Sequence, residues 1–104
     1  MGIAQGATPY LMITVEGYDL SDAAAVSVAI RSVSRMINLG QDRVTITTDG
    51  TDSLLVVHLT QEETLSLAPT TATIQVRWRD AEDEAHTTEM AQINVATAIY
   101  KGEI

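Results

Sequence analysis

The chain has 104 residues, 45% of them hydrophobic, and a formal net charge of −8. That length suits a single domain with its own core, and the acidic balance argues against nucleic acid or an anionic membrane as partner, because a negative surface repels both. Cysteine is absent, which excludes disulfides, thiolate catalysis and Cys-ligated zinc.

The opening "MGIAQGATPY" has neither a positive region nor a long apolar stretch, so no signal peptide is expected, and residues 1–8 are expected to be flexible within a single domain spanning 1–104. The dominant period after that is two, the mark of half-buried strands. "LMITVEG" (11–17) places Leu11, Ile13 and Val15 on one face. "AVSVAIRS" (25–32) does the same with Val26, Val28 and Ile30. "VSRMINL" (33–39) groups Val33, Ile37 and Leu39, with Arg35 interrupting the face, as at a bulge or a register change. "VTITT" (44–48) alternates, and Asp49-Gly50 then supplies the central pair of a tight hairpin turn. "SLLVVHLT" (53–60) carries Leu55, Val57 and Leu59, and "TATIQVRWR" (71–79) carries Ile74, Val76 and Trp78. "DAEDEAH" (80–86) is an acidic hairpin tip, and the segment 87–100 presents Ala91, Ile93, Val95 and Ile99 on one side. The pattern predicts an all-β fold: an immunoglobulin-like antiparallel β-sandwich of seven or eight short strands, with a closed barrel as the alternative. Apolar runs such as "LMI" and "LLVV" fall far short of a membrane-spanning helix.

"HLTQEETLSL" (58–67) holds two adjacent acids beside a histidine. Thr60 followed three residues later by Glu63 is a capping box, in which the threonine oxygen takes an orphan amide and the glutamate reaches back to the Thr60 amide. The stretch therefore predicts one short helical turn near residues 60–65, bracketed in the core by Leu59 and Leu65. A catalytic pair would need carboxylates converging on one bond, and neighbours on a helical turn diverge. His58 is out of phase with Leu55, Val57 and Leu59, so it is expected to face solvent.

The remaining candidates are weaker. His86 and Glu89 resemble a His-x-x-Glu metal pair, but on a strand an offset of three sends the two side chains to opposite faces. A metal site joining His58 and His86 is the further possibility, and with it a metal-dependent hydrolase. Asp80, Glu82, Asp83 and Glu84 form an acidic run without the glycine that calcium loops place at their sharp turn. Trp78 shares the phase of Ile74 and Val76, which favours packing over a sugar-stacking platform. Basic residues are scattered at Arg31, Arg35, Arg43, Arg77, Arg79 and Lys101, unlike the concentrated patch of a nucleic-acid binder. No nucleophile elbow, Walker loop or dinucleotide glycine pattern occurs. No catalytic, cofactor-binding or metal-binding residue is therefore assigned, and no enzyme or cofactor is expected.

Several stretches carry a family resemblance. "ITVEGYDLSDA" (13–23), "VSVAIRS" (26–32), "LLVVHLTQEETLSL" (54–67) and "ATIQVRWRD" (72–80) together resemble the N-terminal immunoglobulin-like domain of phage baseplate upper proteins and related small prophage structural proteins. The most specific part is "LTQEETLSL" followed by "IQVRW". The resemblance implies a virion structural protein of the tail or baseplate, made in the host bacterial cytoplasm. Its implied partners are other phage structural proteins or copies of itself, as a homo-oligomer. It carries over no catalytic residue. Members of that family often continue into a helical stalk, whereas no heptad pattern occurs here. The alternative reading is a carbohydrate-binding or surface-adhesion sandwich, suggested by an acidic, tyrosine-bearing surface.

Overall fold

A computed structural model describes residues 2–33, 35–88 and 90–96. The strands are β1 (Gly2–Ala4), β2 (Tyr10–Val15), β3 (Ala25–Arg31), β4 (Met36–Leu39), β5 (Val44–Asp49), β6 (Asp52–His58), β7 (Thr71–Arg79), β8 (Ala85–Thr87) and β9 (Ala91–Ala96). A 3-10 turn, Gln41–Arg43, precedes β5, and one short helix, α1 (Gln61–Ser66), links β6 to β7. No helix among the described residues is long and apolar enough to cross a membrane.

The strands form two sheets. The larger has the order β1-β9-β7-β3-β4, with β8 also on β7, and the smaller has the order β2-β6-β5. Each strand turns its alternate apolar side chains inward, and the two inner faces share one core. Leu11, Val15, Leu55 and Val57 from the small sheet and Val26, Val28, Ile30, Ile74, Val76, Trp78, Ile93 and Val95 from the large one are buried, as is Leu59 beyond the end of β6. The order β2-β6-β5 facing β9-β7-β3-β4 is that of the immunoglobulin sandwich, with the large sheet extended by one strand as in variable-type domains. This is an all-β, immunoglobulin-like sandwich.

Several expectations are corrected. Within the segment 1–8, expected to be flexible, Gly2–Ala4 form β1, which runs parallel to β9 with Ile3 opposite Val95, and the Ile3 side chain is buried. Gln5 is buried as well, its amide donating to Leu67 O at 2.7 Å. A single isoleucine in a polar stretch has no period to reveal it, because the pairing is supplied by a strand some ninety residues on. With β1 and β8 counted, nine strands are described, and one pairing is parallel. Val33 is 86% exposed, since it lies in the β3–β4 connection, where Ser32 N donates to Arg35 O at 2.8 Å. Arg35 thus marks that connection and not a bulge. The β5–β6 turn is shifted by one residue from expectation. Asp49 still pairs with Asp52, so Gly50 and Thr51 are the central pair, and Gly50 has φ +67, as a type II′ turn requires at its first central position.

Two core expectations move by degree. Ile13 is half-buried, packed against the core from an edge strand. Leu65 is half-buried also, while Thr64 and Leu67 on the same turn are 0% and 1% exposed. Positions three apart share a helix face, and the face with Thr64 and Leu67 is the one turned inward. Ile99 lies outside the described residues.

Candidate functional site

Of the two glutamates of "HLTQEETLSL", Glu62 is exposed and Glu63 is held. Thr60 Oγ1 accepts from Glu63 N at 3.2 Å, and Glu63 Oε1 accepts from Thr60 N at 2.9 Å, so the capping box is formed. Sequence reasoning missed its third member. Arg43, just before β5, donates to Glu63 Oε2 at 3.1 Å and Oε1 at 2.7 Å, and to His58 O at 3.0 Å. Burial pushes the Glu63 carboxyl up, but the bonds from Arg43 and the Thr60 amide outweigh it and hold the group below the ordinary carboxylate range. The buried Thr64 completes the crossover: its Oγ1 accepts from Gly6 N at 3.0 Å and lies 2.9 Å from Ala7 O. Gly6 has φ +82, a backbone shape that favours glycine. This region is a knot that ties three chain segments together, with both Glu63 oxygens occupied.

At the opposite end of the sandwich, Trp78 is buried, and His86 stacks on it with centroids 5.3 Å apart and planes 19° apart. Tyr18 meets the indole edge-on at 5.0 Å. Ser53, buried on β6, holds the Tyr18 loop by accepting from Leu20 N and donating to Tyr18 O, both at 2.8 Å. The β7–β8 tip is organised by Asp80. Its Oδ1 accepts from Glu82 N and Glu84 N at 2.9 Å each, and its Oδ2 lies 2.9 Å from His86 Nε2. The His86 contact, then these amides, hold the Asp80 carboxyl below its ordinary value. Asp83 takes φ +68 to close the tip. Beside it runs a groove of about 320 Å³, lined by Tyr18, Asp19, Asp22, Asp80, Glu82 and His86.

Asp80, Glu84 and His86 place ligand atoms within 4.8 Å of one another. Asp80 already engages both oxygens with two amides and an imidazole, so the trio acts as a turn clasp. The His58–His86 metal site is contradicted by placement. His58 pairs with Tyr10 at the start of β2, and His86 contacts Tyr18, beyond its end. Five residue rises along β2 alone separate the two by about 17 Å. Glu89 lies outside the described residues, and His86 is on a strand as expected. His58 is exposed, but it is held by partners remote in sequence: its ring stacks on Tyr10 at 4.1 Å and 9°, with Nε2 3.1 Å from Thr8 O.

The third region is the free edge of the small sheet. β2 ends the order β2-β6-β5, so among the described residues one side of it faces no strand. Leu59 N donates to Pro9 O at 2.9 Å, which fixes the alternation: Leu11, Ile13 and Val15 exchange bonds with β6, and the amides and carbonyls of Tyr10, Met12 and Thr14 point outward. Tyr10 and Met12 are 62% and 60% exposed. In the immunoglobulin scheme the first strand pairs at this position, but here β1 has gone to the other sheet.

No protein-family model matches the chain, and no curated protein matches it. Among solved structures, murine CRIg is similar over 93% of this chain and 89% of that one, at 14% identity and a TM-score of 0.34. A likeness at that level carries no argument, and the fold assignment rests on strand order and register.

Proposed function

We propose that this chain is a structural component of a phage or prophage virion, in the tail or baseplate, and that it acts through protein–protein assembly. The single observation that carries the assembly part is the open β2 edge. An exposed, uncharged edge strand is a template for another strand, and proteins that have no use for one usually block it with charge, proline or a bulge. Tyr10–Val15 contains none of these. The virion part draws on the resemblance of residues 13–23, 26–32, 54–67 and 72–80 to baseplate upper proteins. Among the described residues, Glu63 is tied into the α1 crossover and Asp80 into the β7–β8 tip. Particles banded on a density gradient from an induced host carrying the gene should contain this chain at fixed stoichiometry to other tail components. Finding it only in the particle-free fraction would reject the reading.

A second reading, a carbohydrate-binding or adhesion module, draws on the groove beside Tyr18, which is 47% exposed among acidic side chains. Trp78 also lines that groove, but it is 5% exposed and stacked by His86, so it offers no open face. A glycan array without hits removes this reading.

A further inference from the structure

We propose that the β2 edge is filled by the β2 of a second copy of this chain, antiparallel across a two-fold axis, so that the small sheets join as β5-β6-β2-β2-β6-β5. The inference rests on the assembly reading above and names its partner. The outward backbone groups belong to Tyr10, Met12 and Thr14, and bonded antiparallel pairs must join residues of that set. The two-fold register that uses them all sets Met12 opposite Met12 and Tyr10 opposite Thr14 of the partner copy.

Charge permits a second copy in this orientation and disfavours others. Each chain carries −8, so most faces of two copies repel. Tyr10–Val15 has no ionised side chain, and the first acid beyond it is Glu16. In the Met12-centred register the two Glu16 side chains lie eight residue rises apart, about 27 Å, well beyond a Debye length of about 8 Å in physiological salt. The acidic β5–β6 turn, with Asp49 and Asp52, lies at the Val15 end of the small sheet, so it too points away from the axis.

The core itself is open on this side. Ile13 is half-buried and lines a cleft of about 130 Å³ with Ile74, Val76, Thr88 and Ala91. A strand added at β2 brings its own inner-face residues, Leu11 and Ile13, alongside that opening, while its Met12 covers the exposed Met12. The other edge of the small sheet, β5, has exposed threonines, Thr45 and Thr47, on the corresponding outer face, and therefore gains less apolar burial from pairing.

Sedimentation equilibrium on the full chain at about 100 μM, a hundredfold above a micromolar dissociation constant, should give twice the 11.2 kDa chain mass. Hydrogen exchange should show the Tyr10, Met12 and Thr14 amides protected in the dimer. Met12→Lys should raise the dissociation constant at least about tenfold and free those amides, whereas Thr47→Lys on β5 should leave the dimer intact. Met12→Pro gives an independent check, because it deletes an N–H that no strand among the described residues uses. It should yield a folded monomer by circular dichroism. A wild-type monomer, a larger assembly, or a dimer that survives Met12→Lys overturns the proposal. If a monomeric chain is nevertheless found in purified particles, the two-fold edge falls and the virion reading stands. A dimer that is absent from particles upholds the two-fold edge and rejects the virion reading.

Discussion

The α1 crossover and the β2 edge treat polar groups in opposite ways. At the crossover, Thr60, Glu63, Thr64 and Arg43 consume each other's donors and acceptors along with those of Gly6, Ala7 and His58. At the edge, the backbone of Tyr10, Met12 and Thr14 faces no strand among the described residues. Glu63, which attracts attention in the sequence, thus marks closure, and an uncharged strand that attracts none is the edge we propose for attachment. Reactivity in appearance and availability in space are different properties.

Substitutions can break or sharpen this contrast. The largest effect should come within β2 itself. Ile13→Pro removes a ladder bond to β6 and a core-facing side chain, and should cost at least about 3 kcal/mol. Met12→Pro, one residue away, should cost far less, since its N–H points outward. Chemical denaturation of the pair measures the difference. At the crossover, Glu63→Ala removes a cap and a charge-assisted pair whose carboxylate is 16% exposed, and should cost about 1–2 kcal/mol by urea midpoint.

The same carboxylate sets a pH dependence. Its folded value lies below the ordinary 4.5, so its contribution is complete above 4.5 and is lost as pH falls through the lowered folded value. The stability gap between wild type and Glu63→Gln should therefore narrow on acidification below that point, and a gap independent of pH would show that the carboxylate is not the group responsible. At the loop end, His86→Ala uncovers the only tryptophan of the chain. Trp78 emission should move to longer wavelength, with a stability loss of about 1 kcal/mol, in the range of an aromatic contact. The smallest stability effect is expected for Met12→Ala, within about 0.5 kcal/mol for the isolated domain, because its side chain is 60% exposed.

Much of the fold is legible in the chain because sheet burial repeats every second residue. Leu11, Val15, Val28, Ile30, Leu55, Val57, Ile74 and Val76 can be assigned inward from their spacing alone, and all are buried. The Thr60–Glu63 box is legible for a similar reason, since its partners sit within one helical turn. What escapes such reading is contact across long sequence separation. Arg43 reaches Glu63 from twenty residues away, and Thr8 and Tyr10 hold a histidine that nothing near it in sequence could hold. β1 escapes because three residues with one buried isoleucine show no period. Leu65 misleads because an apolar residue on so short a turn has no second turn to indicate its face.

By itself, the sequence determined which side chains of most strands turn inward and that Glu63 caps a helix, because both depend on neighbours two to four residues apart. Only the tertiary structure decided which strand keeps a free edge. That outcome depends on β1 pairing with β9 instead of β2, a choice between two distant surfaces that no local pattern encodes. The physical reason is that a strand's hydrogen-bonding sides, unlike its faces, look alike in sequence until the rest of the chain has folded around them.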